Sequence, residues 1–118
     1  MADGTIVGGM SATAWRDIGR LDEVPRLGSR VITTPRGNIA VFRTSDDRVF
    51  ALEDRCPHKG GPLSQGIVHG DRVTCPLHNW MVELATGGAV APDQGCTPTV
   101  AVQVLQDRIL LLLPAAMS

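Results

Sequence analysis

Residues 56–78, CPHKGGPLSQGIVHGDRVTCPLH, hold two pairs of soft metal ligands in an otherwise ordinary chain. The first pair has the spacing C-x-H and the second the spacing C-x-x-H, with residues 59–74 between them. In both pairs a proline follows the cysteine, where it fixes the backbone φ angle and removes an N–H group. Each pair therefore fits on one tight loop, and two such loops can hold one metal centre between them.

The four candidate ligands are Cys56, His58, Cys75 and His78. Two thiolates and two imidazoles can bind zinc tetrahedrally, or a [2Fe–2S] cluster in which two histidines replace two cysteines on one iron. Structural zinc sites usually pair like ligands in sequence, whereas each loop here mixes one cysteine with one histidine. This order favours a cluster in which the two cysteines bind one iron and the two histidines bind the other. Zinc is the alternative.

The composition predicts one small globular domain. The chain has 118 residues, of which 43% are hydrophobic and 19% charged, and its net charge is −1. This length suits a single domain over residues 1–118. The near-neutral charge and the scarcity of aromatic residues argue against binding to nucleic acid or to an anionic membrane. The start of the chain lacks the pattern of a secretory signal and three cysteines do not form a disulfide framework, so we expect a cytoplasmic protein.

Short apolar and β-branched runs separated by turn residues predict an all-β fold. The alternation of Val100, Val102 and Val104 predicts one continuous strand near the end of the chain. The spacing of the strands, with no long amphipathic helix, is typical of an antiparallel sandwich or a small barrel. The segment 54–95 is rich in glycine and proline, and we expect it to form a loop-rich subdomain inserted between strands. The other strands are expected near residues 15–25, 29–34, 38–44, 48–53, 66–68, 72–74 and 81–84, with a last one after residue 108.

The ligand pattern resembles that of the Rieske family, in which C-x-H and, after a spacer, C-x-x-H bind a [2Fe–2S] cluster. All four ligand positions match. The resemblance implies a Rieske-like antiparallel β-sandwich or barrel with an inserted cluster-binding subdomain, and a Rieske-type cluster held by the four residues named above.

The residues beside the ligands indicate which kind of Rieske centre this is. High-potential Rieske proteins of respiratory complexes carry an extra cysteine in each loop, together with serine and tyrosine hydroxyls near the cluster. This chain has Gly61 and Leu77 at the cysteine positions, Trp80 at the serine position, and no tyrosine. The resemblance therefore implies a low-potential, ferredoxin-type centre. We expect Trp80 to cover one side of the pocket or to be an ordinary core residue, and the two interpretations are compatible.

Two longer stretches resemble the small subunit of assimilatory NAD(P)H-dependent nitrite reductase. These are residues 61–96, GPLSQGIVHGDRVTCPLHNWMVELATGGAVAPDQGC, and residues 15–25, WRDIGRLDEVP. In that family the large subunit carries flavin, a [4Fe–4S] cluster and sirohaem, and it reduces nitrite to ammonium. The resemblance implies an oxidoreductase subunit that is only an electron carrier on its own and has no catalytic residue.

Two other functions fit the same ligands. A Rieske ferredoxin of an aromatic-ring-hydroxylating dioxygenase would meet a reductase and an oxygenase instead, although such ferredoxins usually lack the P-D-x-G-C pattern of residues 92–96. A structural zinc or iron–sulfur module would stabilise an assembly or sense redox state. Outside the two loops, we expect Cys96 to be a buried or idle thiol and His69 an exposed turn residue.

Overall fold

The computed structural model describes residues 13–35, 37–57, 61–76, 79–90 and 95–114. Within these ranges the chain forms ten β-strands and two single-turn 3₁₀ helices, Leu21–Glu23 and Leu63–Gln65. In the same ranges no helix has the length and apolar composition needed to cross a membrane. The strands are β1 (Thr13–Arg20), β2 (Gly28–Thr34), β3 (Gly37–Arg43), β4 (Val49–Glu53), β5 (Ile67–His69), β6 (Arg72–Thr74), β7 (Met81–Glu83), β8 (Thr99–Val100), β9 (Val102–Leu105) and β10 (Arg108–Pro114).

The described strands pair into three antiparallel sheets, so the all-β prediction is confirmed. Sheet A has the order β1-β10-β9 and joins the two ends of the described chain. Sheet B has the order β2-β3-β4-β8, and sheet C has the order β5-β6-β7. Sheet C is formed entirely by the chain between β4 and β8, in the segment that carries the predicted ligands.

Sheet B is the middle layer of the molecule, because β3 buries side chains on both of its faces. Ile39 and Val41 pack towards sheet A, in a core that we call the base core. Ala40 and Phe42 pack towards sheet C, in a core that we call the site core. A strand covered on both faces is a continuous apolar run, which explains the sequence IAVF. The buried residues of the site core are Ala40, Phe42, Leu52, Cys56, Leu63, Val68, Val73, Cys75, Val82 and Leu84.

The strand predicted from Val100, Val102 and Val104 is not continuous. It breaks at Ala101, so that β8 pairs with β4 in sheet B and β9 pairs with β10 in sheet A. Val100 and Val102 both pack against the base core, whereas Val104 is exposed. The alternation continues across the break because the base core lies between the two sheets. Periodicity therefore predicts the inward-facing side of Val100 and Val102, but it does not show that Val104 is exposed or that the chain changes sheets.

Candidate metal centre

The first predicted ligand loop leaves the end of β4 and enters the site core. Cys56 is buried, with 2% of its surface exposed, and its thiol is free. Its backbone N–H donates to the carbonyl of Gly61 at 2.8 Å, which closes the loop. Gly61 is also buried, and because glycine has no side chain, its backbone can lie directly against the core. His58 lies outside the described residues.

The second predicted ligand loop leaves the end of β6 and is closed in the same way. Cys75 is fully buried and forms no disulfide, and its N–H donates to the carbonyl of Trp80 at 2.6 Å. In both loops the cysteine N–H is thus bonded to the carbonyl five residues later. Asn79 has a φ of 58°, a left-handed conformation that asparagine adopts more readily than most residues. His78 and Leu77 lie outside the described residues.

The fold brings the two cysteines into one core. Cys56 and Cys75 both belong to the site core between sheets B and C. The end of the first loop lies against the start of the second at Gly66, where a Cβ atom would be 2.2 Å from the carbonyl oxygen of Thr74. A glycine at this position allows the two backbones to approach closely.

A network of polar residues holds the first loop to sheet B. The carboxylate of Asp54 accepts hydrogen bonds from the backbone N–H and the hydroxyl of Ser64, each at 2.7 Å. The carbonyl of Ser64 accepts a hydrogen bond from the hydroxyl of Ser29 in β2 at 2.6 Å. The sequence analysis did not identify these residues, because neither aspartate nor serine belongs to a soft-ligand pattern.

A third segment, 95–97, packs beside the first loop. The buried Thr97 donates its hydroxyl hydrogen to the carbonyl of Arg55 at 2.6 Å. Gly95 has a φ of 127°, and a Cβ atom there would lie 3.2 Å from the Cβ atom of Pro57. The chain on both sides of Cys56 is therefore held by this segment, which sequence spacing also did not reveal.

The other residues singled out in the sequence have different surroundings. Cys96 is expected to be a buried or idle thiol; it is exposed and in no disulfide, so the burial is wrong and the idle role stays a prediction. His69 is exposed as predicted, and its Nε2 atom lies 2.7 Å from the hydroxyl of Thr74. Trp80 is half-buried and packs against the site core, as does Phe50.

An arginine connects sheet B to the hairpin of β5 and β6. Arg48 donates to both carboxylate oxygens of Asp71 in the hairpin turn and also to Asp46, and these hydrogen bonds raise the pKa of the guanidinium. The same guanidinium lies 5.7 Å from the centre of the Phe50 ring. The site core is thus bordered by an ion-pair network at one end.

These observations fit a cluster bound by thiolates. Two cysteines that form no disulfide, Cys56 and Cys75, are buried in one apolar core. Both lie on loops closed by the same type of hydrogen bond, and the first loop is also held to sheet B by hydrogen bonds. Such a donor set suits an iron–sulfur cluster, whose reduction potential depends on burial and hydrogen bonding.

Comparison with known proteins identifies the family. The family model of the Rieske [2Fe–2S] domain matches residues 14–105, which include both predicted ligand loops. The chain belongs to the Rieske [2Fe–2S] family. Its cofactor is a Rieske-type [2Fe–2S] cluster, and its role is electron transfer associated with oxidoreductases.

This Rieske domain is similar to proteins of several systems. It is 36% identical over 97 residues to the anthranilate 1,2-dioxygenase ferredoxin subunit of Burkholderia cepacia, covering 81% of this chain and 84% of that protein. It is 43% identical over 75 residues to the 4β-methylsterol monooxygenase of Methylococcus capsulatus, but the match spans only 20% of that protein.

A solved structure shows the same fold. It is that of a Mycobacterium tuberculosis protein assigned as an NADH-dependent nitrite reductase small subunit, which superposes with a TM-score of 0.77. The match covers 88% of this chain and 98% of that chain at 21% identity, a level at which the likeness shows the fold alone.

Proposed function

We propose that this Rieske domain carries single electrons as the small subunit of an NAD(P)H-dependent nitrite reductase. The cluster would be bound by Cys56 and Cys75 on one iron and by His58 and His78 on the other. We further propose that residues 1–118 form one domain, in which residues 54–95 are the cluster-binding subdomain.

The bound cluster supplies one-electron transfer, and the chain's own residues supply its surroundings. Cys56 and Cys75 provide sulfur ligands whose backbones are fixed by the two loop closures. Phe50 and Trp80 pack at the edge of the site core and reduce the access of water. A ligand shell that is already fixed in place changes little when an electron arrives, which favours rapid transfer.

Our choice of nitrite reductase as the partner rests on the pattern in residues 92–96 and on the position of the segment 95–97. Residues 92–96 have the pattern P-D-x-G-C, which is the part of the sequence that favours nitrite reductase over dioxygenase ferredoxins. Gly95 and Cys96 at its end are exposed, and Gly95 lies beside Pro57 of the first loop. A partner that receives or donates an electron here would contact this segment, so a partner-specific sequence has a physical reason to occur at this place.

The resemblance in residues 61–96 and 15–25 supports the same partner. A small subunit of this type would meet a large subunit that holds flavin, a [4Fe–4S] cluster and sirohaem. Reduction of nitrite to ammonium by NAD(P)H would take place there, because this chain has no nucleotide-binding glycine motif. We infer a cytoplasmic complex with no nucleic acid and no membrane as partner.

The partner can be tested by affinity purification and reconstitution. The tagged chain would be purified from its own cells, and a sirohaem protein should be recovered with it. Electron flow from NAD(P)H to nitrite should require the added Rieske domain, and a cluster-free Cys75→Ser variant should not replace it. Recovery of a terminal oxygenase in place of a sirohaem protein would exclude this proposal.

A ferredoxin of a ring-hydroxylating dioxygenase is the second candidate. The 36% identity to such a ferredoxin, which extends over most of both chains, favours it. In that case the partners would be a reductase and an oxygenase, and the purification above would recover them. Both candidates are low-potential types, so we expect a midpoint below about +100 mV within the class range of roughly −150 to +300 mV.

A further inference from the structure

The first loop is closed by a carboxylate that does not belong to the ligand pattern. Asp54 lies between the end of β4 and Cys56, and both oxygens of its carboxylate accept hydrogen bonds from Ser64. The N–H of Asp54 donates to the carbonyl of Asn38 in β3 at 2.9 Å. The carbonyl of Ser64 is held by Ser29 in β2 at 2.6 Å.

These hydrogen bonds attach both ends of the first loop to sheet B. Asp54 is attached to β3 and Ser64 to β2, and the two residues are bonded to each other. Cys56 lies two residues after Asp54, between these two points of attachment, so the hydrogen bonds restrict its movement. Asp54 therefore positions Cys56 through the loop and not by contact with a metal.

The carboxylate also places a negative charge near the cluster. Two residues of chain span at most about 7 Å, which limits the distance between the backbones of Asp54 and Cys56. Asp54 is half-buried, and the Ser64 donors are neutral, so they stabilise its charge without cancelling it. The neighbouring cation, Arg55, pairs with the exposed Glu53 at 3.3 Å instead.

We propose that Asp54 is a positioning residue of the cluster site and that its charge lowers the reduction potential. Reduction adds one electron to the site, and with it one negative charge, while no bond breaks. A nearby carboxylate opposes the added charge, and partial burial weakens the screening by water and salt. The proposal rests on Cys56 being a cluster ligand, as proposed above, but it does not depend on which partner the domain has.

Redox titration of the purified holoprotein, followed by its visible absorbance, tests the charge. Asp54→Asn removes the charge at nearly constant size. We expect its equilibrium constant for reduction to rise about tenfold, which is 59 mV for one electron. Glu53→Gln is the matched control, because it removes an exposed carboxylate one residue away, and it should stay within about twofold of the wild type. Asp54→Glu keeps the charge and should also stay within about twofold.

The positioning role is tested by the rate at which a chelator removes the cluster. Ser64→Ala removes one hydrogen bond but keeps the charge, so we expect faster cluster loss with an unchanged potential. The proposal is overturned if Asp54→Asn leaves the potential within twofold of the wild type, or if Glu53→Gln shifts it as far.

Two results separate failure of this proposal from failure of the ligand set. If Asp54→Asn does not retain the cluster, the two variants that keep the charge, Asp54→Glu and Ser64→Ala, are measured instead. Unchanged reduction potentials in both support the role of the charge. A tenfold rise in the equilibrium constant for reduction of either variant overturns it. A Cys56→Ser variant that keeps an unaltered cluster would instead reject the ligand set on which the proposal rests.

Discussion

Neither Cys75 nor Cys96 is in a disulfide, but their substitution should have opposite effects. Cys75 is fully buried in the site core, whereas Cys96 is exposed outside both loops. We expect Cys75→Ser to lose the visible absorbance and most of the bound iron, because a thiolate ligand is replaced by a poor one. Cys96→Ser should keep both, as measured by absorption spectra and iron content per chain. Bleaching of the Cys96→Ser protein would contradict the ligand assignment.

Gly66 is a residue at which the two loops approach closely. A Cβ atom there would lie 2.2 Å from the backbone oxygen of Thr74, so Gly66→Ala must push the loops apart. We expect a loss of about 1–3 kcal/mol in the free energy of unfolding, measured by denaturant titration of the holoprotein. Gly88→Ala is the control, since its nearest neighbour is the Thr86 hydroxyl at 3.3 Å, which can rotate away. Equal losses in both variants would rule out the close approach as the cause.

At the residue scale, the sequence indicates candidate ligands better than it indicates the residues that support them. Cys56 and Cys75 are candidates because each lies on one short loop with a histidine close by in sequence, and such a pattern is visible without the fold. Thr97 bonds to a carbonyl 42 residues away, and such a bond depends on tertiary structure. The same holds for the bond between Ser29 and Ser64, which is why no sequence pattern indicates it.

The turn between β3 and β4 is held by an aspartate shared between two arginines. Arg26 and Arg43 both donate to Asp47 and lower the pKa of its carboxyl from 3.8 to about 2. Because the pKa is lower in the folded protein, these ion pairs stabilise the fold above pH about 4, and the contribution is lost as the pH falls towards 2. Asp47→Asn should therefore lower the melting temperature slightly, by the same amount from about pH 5 to about pH 8.

Thermal unfolding of wild type and variant at several pH values measures this difference. Asp22→Asn is the matched control, because its pair with Arg20 is more exposed on both sides than the pair of Arg43 with Asp47 and should contribute nothing measurable. Asparagine also tolerates the φ of 67° at position 47, so backbone strain does not confuse the result. A difference that changes strongly between about pH 5 and pH 8 would mean that another group titrates with the fold.

At the element scale, strands were predictable where turn residues separate them. β2, β3 and β4 lie close to their predicted bounds, because Ser45-Asp46-Asp47 and Pro35 with Gly37 interrupt the apolar runs. The break between β8 and β9 was not predictable, since Ala101 is neither a turn residue nor a charged one. Sheet membership there depends on pairing with β4 and β10, which are distant in sequence.

At the scale of the whole molecule, the described residues form two cores, and among these residues only the site core contains cysteines. The site core holds Cys56 and Cys75, whereas the base core is entirely aliphatic. Removal of iron by a chelator should therefore loosen sheet C and the ligand loops and leave sheet A largely intact. Hydrogen exchange with mass spectrometry should show faster exchange in residues 61–90 and little change in β1 and β10. Uniformly faster exchange throughout the chain would indicate that the two cores unfold together.

The two-sided burial of sheet B determines which part of this molecule could be transplanted. The ligand loops and sheet C alone would be an incomplete graft, because their apolar floor is provided by Ala40, Phe42 and Leu52. Those residues alternate along the strands with Ile39, Val41 and Ala51, which face the other way and need a cover of their own. An engineer who moves the iron-binding half to a new host must therefore supply a second aliphatic layer beneath it.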